Sequence, residues 1–170
     1  MSGREKGYTL LEFWVVAIVF GILAAILLDR LLFYQEAAEK ARMESTVATL
    51  KGALRLKIVA LMVQGRTPEC ARLAQQNPMD WLESKPVDYL GEFRGAPPES
   101  DLRGWYYEGA AHVLVYRVNN GRLFVPDSRG QRQVRFGITQ LPGDLRDSRD
   151  ACVFLINAPI LMPVEPYRWL

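Results

Sequence analysis

Histidine occurs once and cysteine only twice in this chain of 170 residues. That scarcity excludes a zinc module, a haem attachment site and a disulfide-rich scaffold, each of which needs more such residues at fixed spacings. A surplus of one charge is missing too: Lys+Arg 21 against Asp+Glu 19 leaves a formal +2. So weak a balance does not mark a nucleic-acid or polyanion binder. No Gly-x-Ser-x-Gly elbow, phosphate-cradling glycine loop or His-rich metal spacing occurs. His112 reads as a partly buried or surface imidazole, and Asp147 and Asp150 as acids of a solvated loop rather than a glycosidase pair. The chain is therefore read as a non-enzyme, with no catalytic residue, no metal and no cofactor. Its 49% hydrophobic and 24% charged residues suit one globular domain.

What the sequence does have is a long apolar run near its N-terminus. Met1 to Gly7 is short and polar and carries Arg4 and Lys6. Phe13 to Leu28 contains no charged side chain, and Asp29 and Arg30 follow it. A helix over 8–28 spans about 31 Å, close to the ~30 Å hydrocarbon layer of a bilayer. Basic residues on the short side place the N-terminus in the cytoplasm and everything after Arg30 across the membrane. A removable secretory signal is the rival reading. Its apolar core is usually shorter and is followed by a small-x-small cleavage site, which is lacking here.

Glu12 is the odd residue, one helical turn inside that segment. An ionised carboxylate costs about 2–3 kcal/mol at mid-bilayer and less near the interface. It either snorkels to the headgroups or needs a cation, and no Lys or Arg stands between Gly7 and Arg30. A new α-amino group at Tyr8, made by cutting after Gly7, would supply one, from the same chain or from an axially shifted neighbour.

The run Lys6-Gly7-Tyr8-Thr9-Leu10-Leu11-Glu12, followed by an apolar helix, resembles the processing signature of type IV prepilins and type II secretion pseudopilins. The resemblance implies a leader over 1–7, cut after Gly7 by a prepilin peptidase that also methylates Tyr8. It implies that Glu12 is the carboxylate that aids assembly, with other pilin or pseudopilin subunits as partners. The bacterial inner membrane would hold the subunit before it enters an envelope-spanning filament. Tyr8 replaces the commoner Phe, and the Pro that often ends the membrane half is missing, so no built-in kink is expected. More loosely, Asn77–Leu82, Asp88–Glu92 and Gly104–Tyr107 resemble segments of minor pilins of the mannose-sensitive haemagglutinin type.

Beyond Arg30 the helical pattern continues. Met43, Val47, Leu50, Leu54, Ile58 and Leu61 recur at spacings of three and four, an apolar stripe of helical period. Glu36, Glu39, Lys40, Glu44, Lys51 and Lys57 mostly fall on the other faces, with Glu36 and Lys40 as an i,i+4 pair. Gly65 supplies the stop. One long helix over 8–64 is expected, its second half covered by a head over 65–170.

In the head, Glu69–Gln76 and the stretch from Asn77 read as short helical turns, and Lys85–Asp101 as mainly loop, given Pro86, Gly91, Gly95, Pro97 and Pro98. Strands are expected at Trp105–Glu108, His112–Val118, Gln133–Thr139 and Ala151–Asn157, with a short one possible in Arg122–Val125 after the Asn119-Asn120-Gly121 turn. Alternation in Val113, Val115 and in Val134, Phe136, Ile138 suits a sheet with one face on the helix. The expected class is α+β: a long N-terminal helix packed against a C-terminal antiparallel sheet, the outline that the pilin resemblance also implies. Trp81, Tyr89, Trp105 and Tyr106 read as core aromatics. The tail from Ala158, with three prolines, belongs at a sheet edge or offers Tyr167 and Trp169 to a partner.

Cys70 and Cys152 fall on the far side of the membrane, oxidising if this is a cell envelope. A bridge between them would contribute roughly 4–5 kcal/mol on the loop-entropy model; the other reading is two buried free thiols. Arg117, Arg122, Arg129, Arg132 and Arg135 lie close in sequence against a single Asp127. They form a solvated hairpin rim, a surface for an acidic neighbouring subunit, or a patch for DNA or another polyanion. The expected function is a minor pilin or pseudopilin subunit. The alternatives are a membrane-anchored module that binds nucleic acid through those arginines and a single-pass anchor that never polymerises.

Overall fold

A computed structural model describes residues 10–95, 97, 103–139, 142, 150–158 and 160–170. The helix α1 (Leu10–Val63) runs unbroken for 54 residues, about 80 Å. Its end follows the sequence signal. Gly65 takes φ 69°, so that the Arg66 N–H reaches the Leu61 carbonyl at 2.9 Å and its own N–H that of Met62 at 3.1 Å. A left-handed closure of this kind favours glycine and satisfies carbonyls the helix leaves open. Leu10 to Gln35 are exposed, whereas all six residues of the apolar stripe are buried.

Two 3-10 turns, Thr67–Gln75 and Pro78–Trp81, carry the chain back along the helix. Asn77 caps the second: its side-chain oxygen accepts the Met79 N–H at 3.0 Å, and its amide donates to the Tyr89 hydroxyl at 2.7 Å. The sheet that follows has β1 (Tyr89–Phe93), β2 (Gly104–Glu108), β3 (Val113–Arg117), β4 (Gln133–Ile138) and β5 (Leu161–Pro163), side by side in that order. Strand side chains alternate across it. Trp105, Tyr107, Leu114, Tyr116, Val134 and Phe136 pack in one core with Met43, Val47 and Leu50 of α1. Tyr106, Val113 and Val115 form a separate cluster with Leu90 and Phe93. Val113 and Val115 thus lie opposite to the helix side, against the one-faced reading.

The α+β class and the helix–sheet order hold, with three corrections. First, the sheet is mixed: β2 to β5 are antiparallel neighbours, but β1 runs parallel to β2. The proline- and glycine-rich stretch read as loop contains β1, an edge strand whose register shifts between Tyr89 and Glu92, with Gly91 at φ 111°. An edge with a bulge tolerates the residues that exclude a central strand. At the junction a side chain on Gly104 would meet the Asp88 carbonyl at 2.3 Å, so only glycine lets β2 start beside β1. Second, Ala151–Asn157 is a helix, α2, rather than a strand. A short apolar run does not reveal its period. Here Ala151, Cys152 and Leu155 face Leu54, Ile58 and Leu61. Third, Arg122–Val125 is no strand; Phe124 alone forms a bridge, with Trp169. The tail supplies the edge strand β5, and Trp169 is buried on the chain's own Phe124, their rings 5.5 Å apart.

Candidate functional site

The site is α1 itself, bare at one end and clasped at the other. Among the described residues it is the one helix long and apolar enough to cross a membrane. Glu12 lies in its first turn, where a carboxylate suits the positive end of the helix dipole. Gly7 and Tyr8, the expected processing residues, lie outside the described residues.

The clasp begins at Glu36. Its carboxylate is 3% exposed and accepts the backbone N–H groups of Arg122 and Leu123, the latter at 3.1 Å. One turn on, Glu39 accepts the N–H of Asn119 at 2.5 Å, that of Asn120 at 2.8 Å and the Tyr116 hydroxyl at 3.0 Å. Two buried acids therefore hold one turn of the head by its amides. Each hydrogen bond to a charged group contributes about 1.5–3 kcal/mol, and together they offset the cost of burying the charges. Burial, then the charge of Glu39, pushes the Tyr116 phenol above its ordinary range. Neither acid sits on an outward face, as their sequence context suggested. Lys40 instead stands 4.0 Å from Glu44 and donates to the Trp169 carbonyl at 2.9 Å. The signal was available: stepping back from Met43 by four and then three reaches Glu39 and Glu36, in phase with the buried stripe.

The side of α1 turned away from the head is also patterned. Ser45, Thr49, Gly52, Leu56, Val59 and Val63 are exposed and follow one another at alternating spacings of four and three. Leu56 is 73% exposed and Val63 82%. This is an uncharged seam of the heptad kind, small at its lower part and apolar at its upper. Thr49 returns its hydroxyl to the Ser45 carbonyl at 3.0 Å, so the seam offers little free polarity.

A stretch of 51 residues is 37% identical to the type II secretion system core protein G of Klebsiella pneumoniae, covering 30% of this chain and 36% of that protein. The proteins of the same description from Dickeya chrysanthemi and Escherichia coli K12 are each 35% identical, over 54 and 53 residues. Those matches cover 32% and 31% of this chain and 35% and 37% of the relatives. The chain thus spans about a third of the length of the curated relatives it matches. The chain is pseudopilin-like. No family model matches it, and no solved structure does.

The structure of the head divides the five arginines. Arg117 is buried, its guanidinium 5.6 Å from the centre of the Tyr106 ring. Arg135 is paired with Glu108 at 2.8 Å, both largely buried. Arg122 reaches Asp29 of α1 at 3.0 Å, an exposed pair. Arg129 and Arg132 are exposed. Three of the five are thus engaged within the chain, and the group does not form one continuous patch. Cys70 and Cys152 are bonded, with Cα atoms 5.3 Å apart, and they are 82 positions apart in sequence. The bridge ties the first 3-10 turn to α2, not to a last strand. The Tyr107 phenol is raised as well: burial first, then nearby carboxylates such as Glu92, push it up to about 12. Its hydroxyl donates to the Gln75 carbonyl at 3.2 Å, and His112 Nδ1 is equally near.

Proposed function

We propose that this chain is a subunit of a type II secretion pseudopilus or a type IV pilus, held in the inner membrane by α1 and assembled through that helix. One observation carries the reading: α1 has a bare apolar half, and beyond it an uncharged seam on the side opposite to the head. Both features suit helices packing side by side. A plain anchor needs the first but has no use for the second. Similarity to core protein G of type II secretion systems supports the secretion form.

The maturation steps follow from the motif. The leader 1–7 is removed after Gly7 by a prepilin peptidase, Tyr8 becomes the methylated terminus, and its amine neutralises Glu12 in a neighbouring subunit. An ion pair gained by a carboxylate within the apolar helix biases subunits out of lipid and into the fibre. The N-terminus faces the cytoplasm and the head the periplasm.

Intact-mass and N-terminal analysis of the chain extracted from cells that hold the peptidase tests this. A chain starting at methylated Tyr8 is the expected result. An intact Met1 start in such cells contradicts the proposed maturation.

A further inference from the structure

The lower edge of the head stands close to the point where α1 leaves its apolar half. Phe33 and Tyr34 are the last exposed aromatics of that half, 45% and 65% exposed, and aromatics of this kind collect at membrane interfaces. Glu36, which holds the N–H groups of Arg122 and Leu123, follows two residues later, about 3 Å along the axis. Arg122 reaches back further, to Asp29 at the end of the uncharged run. With 8–28 crossing the hydrocarbon, Asp29 lies about 1.5 Å and Glu36 about 12 Å beyond Leu28, so Arg122, bonded to both, brackets the headgroup layer, which extends roughly 5–8 Å beyond the hydrocarbon.

What this turn presents is suited to that layer. Leu123 is 46% exposed and Val125 52%, apolar side chains not used in the head core. Arg132 packs its stem beside Gly121, 3.0 Å from where a side chain there would start. Arg168 holds the Val125 N–H on its carbonyl at 3.0 Å. With Arg30 and Arg122, these are exposed cations around an apolar tip. The nearby acids are mostly engaged. Glu36 is capped by amides; Asp127 accepts from Arg129, Gln131 and Gln133; Glu165 accepts from Ser128. Asp29 is the exposed acid, and it is matched by Arg122.

We propose that the turn from Asn119 to Val125 is a foot that docks on a bilayer surface of anionic phospholipid. Leu123 and Val125 enter the interface, Arg132 and Arg168 bond lipid phosphates, and Arg122 stays on Asp29 beside them. The inference rests on the reading that the bare half of α1 crosses the membrane. Its consequence is a head held upright on the membrane while the subunit waits to assemble, and released when the helix moves out.

Spin labelling of the full chain in nanodiscs tests it, since Cys70 and Cys152 are bonded and an added cysteine takes the label alone. Labels go on Leu123→Cys, on Val87→Cys as a water-exposed reference in the head, and on Ala25→Cys as a reference in the helix. Their access to dissolved oxygen is compared with access to a water-soluble nickel chelate. In discs of one-third phosphatidylglycerol, the label at 123 should favour oxygen at least threefold more than the label at 87. That preference should fall by half or more in pure phosphatidylcholine, in 0.5 M salt, or with Arg132→Ala/Arg168→Ala. Water-like behaviour at 123 with lipid-like behaviour at 25 overturns the foot and leaves the membrane reading standing. Water-like behaviour at 25 overturns the membrane reading itself. Protection at 123 that is indifferent to lipid but develops on adding a second copy of the chain overturns the foot in favour of a subunit contact.

Discussion

Glu39 and Asn119 are 80 positions apart in sequence and 2.5 Å apart in the fold, carboxylate oxygen to backbone nitrogen. The contact fastens the turn after β3 to the long helix, together with the bonds to Asn120 and Tyr116. We expect Glu39→Ala to destabilise the head by about 2–4 kcal/mol, because it leaves two partly buried amides and the buried Tyr116 phenol without their acceptor. Glu44→Ala, one turn on and exposed, should stay within about 0.5 kcal/mol of the parent. Urea unfolding of the detergent-solubilised chain, followed by tryptophan fluorescence, measures both. Equal loss from the two variants would mean that the clasp carries no special weight.

Reduction of the bridge between Cys70 and Cys152 should cost roughly 3–5 kcal/mol in the same assay, most of it by freeing the unfolded chain. Because the bridge joins buried residues of one cluster, Cys70→Ala/Cys152→Ala should match the reduced protein closely. A transition unchanged by dithiothreitol contradicts this.

The phenol of Tyr107, raised to about 12, gives stability a dependence on alkali. A group whose folded pKa lies above its unfolded value of about 10 contributes fully below pH 10 and loses that contribution as pH rises towards 12. We expect a loss on the order of 2–3 kcal/mol across that window from this residue, with the Tyr116 phenol, raised further, adding to the fall. Tyr107→Phe should start lower, lacking the bond to Gln75, and fall less steeply above pH 10. A parallel decline in parent and variant would show that this phenol is not the group responsible.

Assembly separates the two ends of α1. Glu12→Gln should insert normally but enter filaments at least tenfold less often, since the neutral amide gains nothing from a neighbour's amine. Leu56→Lys/Val63→Lys should leave the urea transition within about 0.5 kcal/mol, as both side chains are exposed, yet also reduce incorporation. Crosslinking yield in sheared filament fractions reads both outcomes. Full incorporation of the double-lysine variant would remove the seam from the assembly surface.

The helix was legible because periodicity over six buried positions leaves little choice, and the glycine stop fixed its end to within a residue. The strands β2, β3 and β4 were legible from their β-branched and aromatic residues between turn signals, although β2 and β3 are buried on both faces. Ala151–Asn157 was not, since six apolar residues in a row satisfy both periods and only the contact with Leu54, Ile58 and Leu61 decides between them. β1 was hidden behind residues that break strands in a sheet interior, and its position at the edge is a tertiary fact. Glu36 and Glu39 were missed through their type rather than their place. Acids on a helix are expected in water, and the amides that bury them come from more than seventy residues downstream. The arginines are close in sequence but part in the fold: Arg117 and Arg135 share the sheet face away from α1 and are engaged there, whereas Arg122 turns back to Asp29 of α1.

The bridge and the clasp lie at opposite ends of the contact between α1 and the head, one covalent and one held by charge and amides alone. Under a pull that separates head from helix, the two ends should not yield alike. We expect opening to start at Glu36 and to run upward to the turn that the bridge ties to α2, so that a strained subunit gapes at its base and closes again.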